Sequence, residues 1–123
     1  EDYVMKYMML IYADPANEPV YGTPEFEKMM AGYLSLSEKM AADGVMLAGE
    51  GLKEAETSTT LRVRGEKVET MDGPFAETKE HLGGFYLIDV PDLDAALQYA
   101  ALIPSAEYGT VEVRPVMDYP DAG

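Results

Sequence analysis

The densest gathering of reactive side chains is Asp72-Gly73-Pro74-Phe75-Ala76-Glu77-Thr78-Lys79-Glu80, followed at once by the chain's one histidine, His81. Carboxylates in such a group can exchange protons as general acid or base, and a lysine beside them can neutralise an anionic substrate group. Asp72, Glu77 and Glu80 are the candidate proton carriers, and Lys79 is the candidate counter-charge. A residue preceding proline is driven out of helical geometry and proline's own φ is fixed, so Gly73-Pro74 predicts a stiff turn. Asp72 is predicted to cap it through backbone amides two residues on, with Phe75 as an apolar anchor that could also touch a ligand. That turn accounts for Asp-Gly-Pro-Phe. It accounts less well for acid, hydroxyl, base and acid in the next four positions, although a solvated loop is the common fate of such a run. Histidine suits general-base work, but His81 stands at the entrance of a predicted strand and is read as a surface residue.

Two glycine pairs form the next group. Gly83-Gly84 interrupts a predicted strand, which suggests close approach of a ligand or a partner's backbone, with a β-bulge as the alternative. Gly49-Glu50-Gly51 makes a similar opening at the end of another strand, and neither pair opens a helix as a phosphate loop would. Tyr33 and Glu50 are candidate wall residues of a pocket between these elements. Glu50, Asp72, Glu77 and Glu80 would hold a hard cation only if the fold made them converge. The chain has no cysteine, which excludes thiolate nucleophiles, zinc–thiolate sites and disulfides, and its lone histidine argues against a two-histidine metal site. No metal and no cofactor are expected.

The composition narrows the partners. With 23 acidic residues against 9 basic ones the net charge is −14, a surface that repels phosphate backbones and anionic lipid, so neither nucleic acid nor membrane is expected as a partner. The apolar run Met8–Tyr12 is too short to span a bilayer. Together with the absence of cysteine, this makes the cytoplasm the expected compartment. The 123 residues suit one domain over 5–117. Residues 1–4 read as an extension ahead of Met5, and 118–123 as a tail.

The elements that must position these residues follow from periodicity. Residues 5–12 alternate as a strand that is apolar on both faces. Thr23-Pro24-Glu25 opens a helix whose inner face is Phe26, Met29, Met30, Tyr33, Leu36, Met40 and Ala41, closed by Gly44. Val45–Ala48 predicts a second strand. Residues 59–71 predict a hairpin with Gly65-Glu66 at its turn, setting Val63 against Val68 and Arg62 against Glu69. Leu82–Val90 is a strand, and Asp92 caps a helix lined by Leu93, Ala96, Leu97, Ala100 and Ile103 and stopped by Pro104. Thr110–Met117 is the last strand. The order is that of an α+β, ferredoxin-like βαββαβ fold with an inserted hairpin. Two helices cover one face of such a sheet, so the other needs a partner, and a sheet-to-sheet homodimer is the economical answer.

Met5–Tyr12, Leu47-Ala48-Gly49-Glu50-Gly51-Leu52, the segment Asp72–Glu80, Leu82-Gly83-Gly84-Phe85-Tyr86 and Val111-Glu112-Val113-Arg114-Pro115 together resemble the DGPF branch of the YCII-related proteins, in the same order from about Met5 to Val116. The resemblance implies a dimeric α/β barrel of ferredoxin-like protomers. It also implies that a helix histidine, working in some of these proteins with an aspartate, is replaced by Tyr33, so that mechanism does not carry over; a phenol is a poor base near neutral pH. Proteins of this branch occur beside extracytoplasmic-function sigma factors, which implies such a factor as a possible protein partner. The sequence therefore supports a small-molecule-binding homodimer, with acid/base catalysis as one use of the site. The alternative is a non-catalytic regulatory module.

Overall fold

A computed structural model describes residues 5–119; the expected extension at 1–4 and the last four residues of the expected tail lie outside the described residues. Alternating side chains give β1 (Lys6–Ala13), and the apolar run after Glu80 gives β5 (His81–Asp89). These two pair antiparallel at the centre of a four-stranded sheet, with β2 (Met46–Gly51) beside β5 and β6 (Thr110–Pro115) beside β1. The helices are α1 (Pro24–Ala42) and α2 (Leu93–Ala100). This is the ferredoxin-like order predicted above. The inserted hairpin, β3 (Thr59–Arg64) and β4 (Lys67–Asp72), forms a sheet of its own, with Val63 opposite Val68 and Arg62 opposite Glu69 as the pattern required.

Strand register sorts the core. Tyr7, Met9 and Ile11 share a face with Ile88, Tyr86 and Gly84, and on that face they meet Leu36 and Met40 of α1 and Ala96 and Ala100 of α2. The opposite face carries Met8, Leu10 and Tyr12 against Leu87, Phe85 and Leu82. Neither helix reaches it, and Met8, Leu10, Phe85 and Leu87 remain half-buried apolar residues there.

Three expectations are corrected. The second strand does not end before Gly49-Glu50-Gly51 but runs through it, because those residues continue pairing with Tyr86, Phe85 and Gly84. On α2, Leu93 and Leu97 are 46% and 47% exposed, so its inner face is narrower: Ala96, Ala100 and then Ile103. Small alanines let the helix lie close to the sheet and push the leucines to the flanks. On α1 only Leu36 and Met40 are buried, while Met30 is 49% exposed and Ala41 is exposed as well. The helix is anchored by its C-terminal half, and its first half overhangs the sheet.

Thr23 and Asp92 cap the two helices as expected, accepting from the Phe26 and Ala95 amides at 3.2 and 2.9 Å. The C-terminal end of α1 is tied to α2 at the surface: the Tyr99 hydroxyl donates to Asp43 at 2.6 Å and the Lys39 ammonium at 3.2 Å. Tyr99 first, and Lys39 second, hold the Asp43 carboxyl below its ordinary value of 3.8. A carboxyl depressed in the folded state adds stability above its unfolded pKa and loses it as pH falls through the folded value. The stability gap between parent and Asp43→Asn should therefore be wider at pH 7 than at pH 2.5 in urea titrations. A gap of equal size at both would show that the carboxylate's charge is not its source.

Candidate functional site

The overhang of α1 creates a cleft of about 730 Å³ between its first half and the far ends of β2 and β5. The roof is apolar, from Phe26, Met29 and Met30. The floor is glycine. Gly49 pairs with Tyr86 and Gly51 with Gly84, and Gly84 with Ile11, so all three glycines lie on the helix-facing side of the sheet. Each has its own reason. A Cβ on Gly49 would sit 2.8 Å from the Tyr86 ring, and one on Gly84 2.8 Å from the Glu50 carbonyl oxygen. At Gly51 a Cβ would meet nothing within 4 Å, so there the missing side chain is open volume. Gly83 is different again. The register slips between Ile11 and Tyr12 from Gly84 to Leu82, leaving Gly83 as the bulged residue, which is the alternative raised for this pair.

The buried end of the cleft is closed by a 3-10 turn, Pro104–Glu107. Gly32 lets that turn approach, since a Cβ there would lie 2.8 Å from the Pro104 ring. The turn delivers Ser105, only 3% exposed, to the Tyr33 hydroxyl at 2.7 Å. Burial raises the Tyr33 pKa above 10.0 despite the opposing hydrogen bond to Ser105, so the group is a neutral hydroxyl and not a base at physiological pH. Tyr108 is likewise raised, chiefly by burial. Its hydroxyl lies near enough to Ser105 to temper that rise but without hydrogen-bond geometry, so it stays buried and unpartnered among the described residues.

The sequence-predicted residues divide. Tyr33, Gly83 and Gly84 line this cleft, and Glu50 borders it from β2 while its pairing with Phe85 turns its side chain to the open face of the sheet. Glu77 lines a separate hollow of about 220 Å³ with Pro74, Thr78 and Glu56. His81, read from sequence as a surface residue, is half-buried and borders both cavities. Asp72, Lys79, Glu80 and Phe75 line neither, and Phe75, expected as an anchor, is 71% exposed. The predicted side-chain cap from Asp72 is not formed. The turn is held instead through the backbone of Gly73, whose φ of +92° needs glycine: its N–H donates to the Ser58 carbonyl at 2.7 Å, and the Thr60 hydroxyl donates to its carbonyl at 2.8 Å. The Thr78 hydroxyl donates to the Glu80 carbonyl at 2.7 Å. Glu50, Asp72, Glu77 and Glu80 do not converge; among the described residues no three histidine, aspartate or glutamate side chains lie close enough to hold a metal ion.

Ser105 is the residue that sequence reasoning missed. Its only local signal is the preceding Pro104, and its partner is 72 positions away.

The sequence profile of the YCII-related domain matches residues 5–120. The chain belongs to the YCII-related family. It is similar to an uncharacterized protein of Rhizobium meliloti (strain 1021), 37% identical over 117 residues that cover 94% of each chain. In this YCII-related protein a neutral phenol, fixed by a buried serine, stands on the helix over the cleft. The charged residues on the lining are Glu18, Glu50, Lys53 and Glu54, and His81 is its imidazole. Among the described residues no helix is long and apolar enough to cross a membrane.

Proposed function

We propose that this YCII-related protein binds a small molecule in the cleft under α1, with the Tyr33–Ser105 pair as its fixed hydrogen-bonding point. The observation that carries the reading is the cleft's construction: a volume in the range of small-molecule sites, apolar walls, a floor kept clear by glycine and a few buried hydroxyls. His81 is the imidazole on the cleft lining, so acid/base catalysis is the chemistry the site could add. In this reading Asp72 at the end of β4, with Phe75, Lys79 and Glu80 of the loop that follows, acts by placing Glu77 and the start of β5 at His81.

The test is Gly51→Leu. The position has open space and an ordinary backbone conformation, so the side chain should fill the cleft and change stability by no more than about 0.5 kcal/mol. Fragments that bind the parent in ligand-observed NMR at millimolar concentration should lose binding to Gly51→Leu. Fragments retained by a folded Gly51→Leu would place the binding site elsewhere.

We further propose that the protein is a homodimer joined through the open sheet face, since Met8, Leu10, Phe85 and Leu87 form an apolar surface no helix covers. Light scattering at micromolar concentration should give twice the chain mass. The same surface supports the second reading, a regulatory module that offers this face to a sigma factor. A monomer in solution together with stoichiometric capture of a sigma factor would favour that reading over the homodimer.

A further inference from the structure

The register lays out the open face of the sheet row by row. Glu50 pairs with Phe85, Phe85 with Leu10 and Leu10 with Glu112, so these side chains form one row across the sheet. The next row runs Ala48, Leu87, Met8 and Arg114 by the same pairings. Both rows are apolar at the centre and carry charge at the margins, Glu50 on β2 and Glu112 with Arg114 on β6. Arg114 bonds to Glu112 at 2.8 Å, so its guanidinium leans along β6 to the level of the Glu50 row. Its side chain is still 66% exposed, and a guanidinium has N–H donors to spare for a second carboxylate. Glu50 is exposed, and the ion pairs among the described residues, Lys39–Asp43 and Glu112–Arg114, leave it out. At one end of the same face Lys6 stands opposite Asp89.

These charges choose between two ways of seating a second copy. Sheets packed face to face keep their strands roughly aligned, and a two-fold axis between identical copies then runs either across the strands or along them. An axis across the strands sets each margin on its own copy, with β2 on β2 and β6 on β6. Like charges facing each other across an interface oppose association. An axis along the strands sets β2 on the partner's β6 and β5 on the partner's β1, given the strand order. Glu50 then faces the partner's Arg114, Asp89 faces the partner's Lys6, and the apolar centres meet. A chain of net charge −14 repels its own copy at long range, so attraction has to be supplied where the two touch.

We propose that Glu50 and Arg114 key the homodimer: each Glu50 carboxylate takes the free side of the partner's Arg114 guanidinium, whose other side is held by the partner's Glu112. This rests on the homodimer through the open face, and extends it to the direction of the two-fold axis and to the residues that select a second copy. It also gives Glu50 a use on the face to which its side chain is turned.

The test is a charge exchange followed by sedimentation and native mass spectrometry of the full chain. Both positions are exposed, so Glu50→Arg and Arg114→Glu should fold, which circular dichroism checks. Each alone should weaken the dimer at least about tenfold, because each sets like charges together at two symmetric contacts. Added salt should reduce that loss. Mixing the two single variants restores opposite charges at both contacts, so the mixed dimer should exceed the share expected from random exchange. The double variant Glu50→Arg, Arg114→Glu should regain most of the lost affinity. A parent dimer that neither substitution weakens, or a mixture with no excess of mixed dimer, would overturn the pairing while leaving the open face as the dimer surface. A parent that is monomeric at micromolar concentration would overturn the homodimer itself and the pairing with it.

Discussion

Gly109→Val should be among the most damaging single substitutions in this protein, costing about 3 kcal/mol or more and lowering the melting temperature by roughly 10 °C. A Cβ at this position would overlap the carbonyl oxygen of Tyr12, with the Ser105 carbonyl oxygen at 3.1 Å and the Ala13 Cα at 3.2 Å. All three neighbours are backbone, so no side chain can turn aside to make room. The chain leaves the Ser105 turn here and enters β6 opposite the end of β1, where Tyr12 pairs with Thr110. The Gly109 amide also donates to the Ser105 carbonyl at 2.7 Å, so a shift of this residue moves the serine that fixes Tyr33. Chemical denaturation of Gly109→Val beside Gly51→Leu makes the comparison: both add a branched side chain to a glycine near a strand end, and only the first should be costly. Equal and small losses would show that the β1–β6 junction is not constrained as described.

Met40→Ala should cost about 3 kcal/mol through lost burial and the cavity left behind. Met40 is fully buried and, with Leu36, is one of only two buried residues on α1. The helix that roofs the cleft is therefore held at two points, and removing one should loosen its overhanging first half. Hydrogen exchange should speed up through α1, and fragment affinity in the cleft should fall along with stability. Met40→Leu, which keeps the volume, should lose less than about 1.5 kcal/mol and retain binding. A stable Met40→Ala that binds as the parent does would mean that the roof is held by contacts other than these.

What could be read from the sequence was mostly local. The caps at Thr23 and Asp92, the hairpin register and the order of elements along the chain all follow from signals spanning a few residues, and the structure has each of them. The split of the carboxyl-rich segment was not legible, because Asp72 to Glu80 is a loop whose side-chain directions depend on its supports. Those supports are Ser58 and Thr60, more than twelve positions away from Gly73. Tyr33 could be named as a wall residue because it lies on a recognisable element. Ser105 could not, since only the packing of Gly32 on Pro104 brings it to Tyr33. The continuation of β2 through Gly49-Glu50-Gly51 was hidden for a related reason: glycine reads locally as a break, and only the ladder with β5 overrides it.

The bulge at Leu47 in β2 bears on how this sheet could grow. Met46 pairs with Ile88 and Ala48 with Leu87, so Leu47 is squeezed out of the ladder on a strand whose other edge is free. A kinked edge cannot offer the unbroken row of amides and carbonyls that an incoming strand would need. At the far edge, β6 ends in Pro115, which has no N–H to give, and carries the Glu112–Arg114 ion pair at 2.8 Å. Both margins are thus closed to templating, and the route from this fold to runaway, amyloid-like polymerisation is obstructed at each end of the sheet.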